Sequence, residues 1–199
     1  MKDIHFVSAD EAVSHISSHC HVHLSSVASV PHCLIQALCR RADAGDVTDL
    51  HFHHFHTEGP APYSEPRYEG IFFEQGFFVG PNVRANVNAG YADYIPVHLG
   101  ESQALYRRGV ISLGAALVNI SLPDADGYVS LGTSVDCSVA AIESAGLVIG
   151  VVNPHVPFAY GDLVHIDKFD YLVEDDTPLV TAAFAEPTPT EVLIGKNCA

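Results

Sequence analysis

Short runs of β-forming residues alternate along this chain with stretches of helical spacing, which predicts an α/β protein with a mostly parallel sheet flanked by helices. Three observations carry that prediction. The runs Ala115–Ile120 and Leu147–Val152 are apolar and short, as strands buried on both faces are. Segments between the strands carry capping residues and apolar side chains three and four positions apart. Several strands are followed by glycine-bearing loops, and in parallel sheets ligands gather at the carboxyl ends of strands.

In chain order, Ser8-Ala-Asp-Glu11 has the form of a capping box ahead of Ala12, Val13 and Ile16, so a helix starts there. His21–Ser25 reads as a strand, Val30–Arg41 as a helix and Val47–Phe55 as a second strand. Phe77–Val79 and Tyr94–Leu99 are strand candidates separated by a short helix over Asn82–Asn88. Glu101–Arg108 is a helix closed by Gly109, and Ile111–Ile120 a strand. The stretch Ser121–Asp136 places Gly127, Ser130, Gly132, Thr133 and Ser134 ahead of a helix over Val135–Ala145, with Ser134 or Asp136 set to cap it. A cap facing a glycine loop offers free N–H groups to a carboxylate, phosphate or thioester oxygen. The plainer alternative is a hairpin turn at Asp126-Gly127. The loops after Val79, Ile120 and Val152 are expected to converge at one edge. Glu174–Pro178 and Glu186–Thr190 have a linker composition, and Val192–Ala199 reads as the opening of another element. The expected division is therefore a domain over 1–185 and a linker with the start of a further domain over 186–199.

Composition narrows the function. With 199 residues, 48% of them hydrophobic, the chain can bury one substantial core. A net charge of -15 with only 9 Lys and Arg excludes a nucleic-acid-binding surface, which needs clustered cations. No apolar run reaches the length of a membrane span, and Met1-Lys-Asp-Ile-His5 lacks the apolar centre of a signal peptide, so a cytoplasmic protein without membrane partners is expected. Cys20, Cys33, Cys39, Cys137 and Cys198 are odd in number and scattered, which reads as reduced thiols.

Four segments follow one another in a telling order: Phe78-Val-Gly-Pro-Asn-Val-Arg84, Ala89-Gly-Tyr-Ala-Asp-Tyr-Ile-Pro96, the Ser121–Asp136 loop, and Val151-Val-Asn-Pro-His-Val-Pro157 with Gly161-Asp162. From about Ser8 to the last residue, the chain resembles the acetyl-CoA hydrolase/transferase family, in particular the N-terminal half of its 4-hydroxybutyrate CoA-transferase type. Family members are roughly twice as long.

The resemblance implies a CoA-transferase-like N-terminal domain and covalent chemistry on a glutamate in the C-terminal half: an acyl-glutamyl anhydride, then a glutamyl-CoA thioester, then transfer of CoA to another carboxylate. None of Glu58, Glu65, Glu69, Glu74, Glu101 and Glu143 stands in that nucleophile setting, so no catalytic residue is expected here. The implied partners are an acyl-CoA, a short carboxylic acid such as acetate or 4-hydroxybutyrate, the C-terminal domain and further copies in a homo-oligomer. Coenzyme A is a substrate, and no permanently bound cofactor is implied. Gly80 and Gly132 would permit close backbone approach; Asn82, Ser130 and Ser134 would donate hydrogen bonds to a carbonyl oxygen; Arg84 would meet a carboxylate or a CoA phosphate; Asn153 carries over from the corresponding loop. Departures are visible too. Phe158-Ala-Tyr160 stands where other members commonly carry a basic residue, Ser18-His19 replaces Gly-Asp, and Ser25–Ser29 lacks a glycine found in many relatives.

Competing readings remain open at this level: an acyl-CoA hydrolase half, a module that holds CoA esters without chemistry, and a cupin-like metal protein. The last rests on Gly45, His51-x-His53 and Glu58, which reproduce the spacing of a first cupin motif, although no second motif follows and the alternation does not suit an all-β barrel. On a strand His51 and His53 would share one face and His54 and His56 the other, so no single metal could collect all four, and no metal site is expected. Gly127-Tyr-Val-Ser-Leu-Gly132 misses the serine-hydrolase elbow by one position. No dinucleotide or Walker pattern follows a strand. Phe72, Phe73, Phe77 and Phe78 are expected in the core or at an interface.

Overall fold

The computed structural model describes residues 6–181 and 185–199. The strands β1 (Cys20–Leu24), β2 (Leu50–His53), β3 (Phe72–Gly76), β4 (Ala92–Tyr94), β5 (Leu113–Ile120), β7 (Leu147–Val152) and β9 (Tyr171–Glu174) form one sheet in the order β4-β3-β2-β1-β5-β7-β9, every neighbouring pair parallel. Between them in the chain, β6 (Tyr128–Ser130) and β8 (Leu163–His165) make a separate antiparallel pair. The helices are α1 (Ala9–Ser14), α2 (His32–Asp43), α3 (Arg84–Ala89), α4 (Leu99–Arg107), α5 (Ser138–Ser144) and α6 (Pro189–Cys198). The α/β architecture read from the sequence is the one that forms.

Side chains alternate along β5 and so supply both faces of the sheet. Ala115 and Leu117 join Val22, Leu24, Leu34, Ile35, Leu38, Leu50 and Phe52 under α1 and α2. Ala116, Val118 and Ile120 join Tyr106, Ala141, Ile142 and Val148 under α4 and α5. Burial on both sides explains why the sequence shows an unbroken apolar run there. Each fully buried Leu or Ile contributes on the order of 1.5–3 kcal/mol.

Several boundaries differ from the sequence reading. The strand expected at Phe77–Val79 lies earlier, at Phe72–Gly76, although the Phe77 and Phe78 amides still donate to the His54 and Phe55 carbonyls at 2.8 and 2.9 Å. Tyr94–Leu99 is not a strand: β4 stops at Tyr94, Pro96 has no N–H for a ladder, and α4 begins at Leu99. The helix expected from Val135 starts at Ser138 after Cys137, and no side chain caps its first turn. The strands β6, β8 and β9 went unread, and β9 draws Glu174 out of the expected linker. Ser8 does cap α1, accepting from the Glu11 amide at 3.1 Å. At the far end Thr188 and Glu191 form a capping box for α6, a helix that buries none of its residues. Met1–His5 and residues 182–184, beside the expected boundary at 185, lie outside the described residues. Among those described, no helix is long and apolar enough to cross a membrane.

Candidate active site

The chain lays down β1 to β4 towards one side of the sheet, then returns to place β5, β7 and β9 on the other. The order reverses between β1 and β5. Loops leaving those two strands diverge to opposite faces and open a crevice, the usual ligand position in such sheets. Ser25, Ser26 and Ser29 follow β1 there, Asn119 and Ser121 close β5, and Asn153 follows β7.

Val27, at the head of the crevice, has φ 56, in the left-handed region that a β-branched residue rarely enters. Strain of that kind costs about 1–3 kcal/mol and persists only where the surroundings impose it. The imposition is visible. The Val27 amide donates to the His56 carbonyl at 2.8 Å, the Glu58 amide donates to the Val27 carbonyl at 3.3 Å, and Val27 bridges Thr57 in parallel fashion.

The hydroxyls nearby tie the loops together. Asn119 N donates to Ser25 Oγ at 3.1 Å, while Ser29 Oγ and Thr133 Oγ1 lie 2.9 Å apart and link the loop after β1 to the one after β6. Asn119 is buried, its Oδ1 has no hydrogen-bond partner among the described residues, and it lines a small cleft with Ala28, Val30, Asn153, Thr177 and Leu179. The sequence signal for this position is an Asn inside an otherwise apolar strand.

The predicted site residues fall into two groups. Gly80 and Asn82 belong to the loop after β3, which packs on the loop after β2, and Arg84 opens α3 at its end; Ser130, Gly132, Ser134 and Asn153 surround the β5 and β7 side. Three strand spacings of roughly 4.8 Å separate β3 from β5, so the three loops share an edge without meeting at one point.

Asn82 Nδ2 donates to Thr57 O at 3.0 Å, Thr57 Oγ1 at 2.9 Å and Gly59 O at 3.3 Å. A Cβ at Gly80 would come within 2.8 Å of Asn82 Oδ1, so only glycine lets that side chain turn back. Arg84 is exposed, reaches only Val79 O at 3.5 Å, and forms no ion pair among the described residues. Ser130 Oγ donates to Ala159 O at 3.2 Å and accepts from the Gly132 and Ala159 amides at 3.0 and 3.1 Å. Its hydroxyl is therefore spent inside the protein. Ser134 Oγ donates to Asp136 Oδ2 at 2.9 Å, and Asn153 bridges the His155 amide and the Thr177 carbonyl. Gly132 has φ 66, and a Cβ there would stand 2.3 Å from Val156 Cγ1. The turn at Asp126-Gly127 exists as well, held by Asp124 Oδ1 on the Asp126 and Tyr128 amides, and the Asp124 and Ser121 amides donate across it to the Tyr128 and Ser130 carbonyls at 2.8 and 2.9 Å as in a hairpin, before β6 goes on to pair with β8.

Below this loop His23 is fully buried between the Tyr106 hydroxyl at 3.2 Å and Ser138 Oγ at 3.0 Å. Burial pushes its imidazole down to about 4. One ligand atom each of His23, Asp136 and Cys137 lie within 4.8 Å of one another, yet Asp136 already accepts from Ser134, Cys137 N and Ser138, and both His23 nitrogens are engaged. Hydrogen bonds account for the arrangement. The cupin alternative is overturned by the open parallel sheet: His51 bonds Asp49, His53 bonds His21 at 2.7 Å, and Glu58 faces His56. Of the phenylalanine cluster, Phe72 and Phe77 are buried, whereas Phe78 is 55% exposed.

The strand order and its reversal between β1 and β5 define a doubly wound α/β domain. Residues 3–183 match the acetyl-CoA hydrolase/transferase N-terminal domain, and the chain belongs to that family. It is 34% identical over 194 residues to a 4-hydroxybutyrate coenzyme A transferase of Clostridium kluyveri, covering 97% of this chain and 45% of the relative. A succinyl-CoA:acetate/propanoyl-CoA:succinate CoA transferase of Fasciola hepatica is 36% identical over 155 residues, with 78% and 32% covered. The crystal structure of RipA from Yersinia pestis superposes with a TM-score of 0.86 at 27% identity, over 93% of this chain and 45% of that one. The chain thus spans less than half the length of these relatives.

Proposed function

We propose that this domain is the non-nucleophilic wall of a CoA-transferase site that moves CoA between an acyl-CoA and a short carboxylic acid of the acetate or 4-hydroxybutyrate type. The observation that carries the reading is the family match over residues 3–183, joined to relatives that are CoA-transferases. The nucleophilic glutamate comes from a C-terminal domain outside these 199 residues. It attacks the thioester carbonyl, a C–O bond forms as the C–S bond breaks, and the departing CoA thiolate then attacks the glutamyl carbonyl of the anhydride and releases the acyl group as its carboxylate.

This chain binds and orients. In the Gly132-Thr133-Ser134 turn and the turn at Val27, Gly132 N is bonded to Ser130 Oγ and Val27 N to His56 O, so it is the amides that follow them, of Thr133, Ser134 and Ala28, that these turns offer to the thioester oxygen as charge develops on it. Because the Ser130 and Ser134 hydroxyls are already bonded, their part is to hold the loops. Arg84, unpaired and exposed, is the cation for a carboxylate or a CoA phosphate. Exposed Phe78, Tyr91, Tyr94, Leu99, Phe158 and Tyr160 support a covering C-terminal domain and a homo-oligomer, and wholly exposed α6 supports residues 186–199 as the approach to that domain. Five unpaired thiols suit the cytoplasm.

The test is an acyl-transfer assay from acetyl-CoA to 4-hydroxybutyrate or butyrate, with the 199-residue chain alone and joined to a C-terminal domain. Turnover only in the joined form is expected; enzyme-level transfer by the chain alone would refute the division of labour.

A further inference from the structure

Beneath the strained turn at Val27 runs a string of buried polar side chains that no role described so far uses. It starts at Glu74 on β3, 5% exposed, whose Oε1 lies 3.3 Å from His54 Nε2. His54, fully buried just after β2, places the same nitrogen 3.3 Å from the Tyr63 hydroxyl. Tyr63 stands 3.0 Å from Thr57 Oγ1, and Thr57 also accepts from Asn82 and bridges Val27. An Nε2–H tautomer of His54 donates to the Tyr63 oxygen, with Glu74 Oε1 at contact distance beside it, while Tyr63 donates to Thr57.

The string costs the fold something. Among the described residues Glu74 Oε2 and His54 Nδ1 are buried without a hydrogen-bond partner. Burial pushes His54 down to about 3 and Glu74 up to about 8, so the two meet as neutral groups in contact and not as an ion pair. An apolar pair of the same shape would satisfy the core at least as well. What the polar string reaches is the loop residue whose neighbours on either side hold Val27 in its left-handed conformation: His56 O accepts from Val27 N, and Glu58 N donates to Val27 O.

We propose that Glu74, His54 and Tyr63 are positioning residues which, through Thr57, hold the Val27 turn at the head of the crevice in its strained conformation. The consequence for transfer rests on the proposed function above, but the placement itself is a property of this domain. Removing the Tyr63 hydroxyl leaves the Thr57 side chain held by Asn82 alone, and removing the Glu74 carboxyl loosens His54 and Tyr63 behind it, so the pairing around Val27 opens more often while the sheet beyond it is untouched.

Amide hydrogen exchange on the 199-residue chain tests this directly, comparing Tyr63→Phe and Glu74→Leu with the parent. Exchange at the Val27 and Glu58 amides is expected to speed up about tenfold or more, with the Ser25 and Asn153 amides, bonded to Leu117 O and Ile120 O, staying within about twofold. The Glu74→Leu protein is expected to show this local opening without a lower melting temperature, which a merely structural acid would not do. Glu74→Gln, which keeps an oxygen beside His54, is expected to restore protection at Val27. Unchanged exchange at Val27 and Glu58, or one common acceleration at all four amides, would overturn the proposal whatever the fate of the transferase reading. In the protein joined to a C-terminal domain, Tyr63→Phe is expected to lower kcat by about tenfold with KM within about twofold.

Discussion

Replacing Gly132 with alanine isolates the tightest packing point beside the crevice. The glycine has φ 66, and the new Cβ would sit 2.3 Å from Val156 Cγ1, with Pro157 O at 3.4 Å. Two costs add. An alanine in the left-handed region is less stable by about 1–2 kcal/mol, and a methyl forced into a packed site costs about 1–3 kcal/mol more. The sum, about 2–5 kcal/mol, lowers the melting temperature by roughly 5–20 °C for a domain of this size. Thermal unfolding followed by circular dichroism measures it. The steric part is separable, because Val156→Ala removes the methyl that is struck, so the double variant should be less destabilised than the sum of the singles by about 1–3 kcal/mol. A Gly132→Ala protein melting within about 2 °C of the parent would refute the argument, as would strict additivity in the cycle.

Other outcomes follow from the same geometry. Ser130→Ala leaves the Gly132 and Ala159 amides without their shared acceptor, and is expected to cost about 1–3 kcal/mol in denaturant titration; no loss would show that the hydroxyl does not tie these loops. Acidification from pH 7 to 5 should lower the melting temperature. Burial holds the His23, His53 and His54 imidazoles down at about 4, 3 and 3 from 6.5, so their contribution is whole above 6.5 and is lost below it at about 1.4 kcal/mol per group per pH unit. Glu74, pushed up to about 8, works oppositely and regains roughly 3 kcal/mol over that interval, against roughly 6 kcal/mol lost by the three histidines. A midpoint that rises on acidification would contradict this balance. Arg84→Ala, at an exposed position without an ion pair among the described residues, should leave stability within about 0.5 kcal/mol while raising KM for the acyl-CoA in the protein joined to a C-terminal domain; an unchanged KM would remove Arg84 from the site.

Much of the architecture was legible because it is local. The run Ala115–Ile120 announces a strand buried on both faces, and Ser8 with Glu11 announces a helix start, since each signal lies within one element. Pairing is not local. Phe77 and Phe78 look like strand residues and do extend beside β2, but only the register that sets Leu50 against Phe72 shows where β3 lies. Strands of three or four residues, such as β6 and β8, carry too little pattern to be read alone. The site was legible as loops and not as contacts. Gly132 is expected to admit the close approach of a ligand, and what lies close to it in the structure is Val156; Ser130 and Ser134 are expected as donors to a ligand, and the structure shows their hydroxyls bonded within the protein. Val27 carried no sign in its residue type, because its strain is imposed by His56 and Glu58 from another strand's loop.

The central claim is that this domain shapes and orients a thioester while the attacking carboxylate arrives from elsewhere. Mass spectrometry of the protein joined to a C-terminal domain, after incubation with acetyl-CoA and borohydride trapping of the enzyme-bound thioester, tests it most directly. The account predicts modification of a single glutamate beyond Ala199 and none among residues 1–199. Modification at Glu58, Glu74 or any other acid of this chain would contradict it.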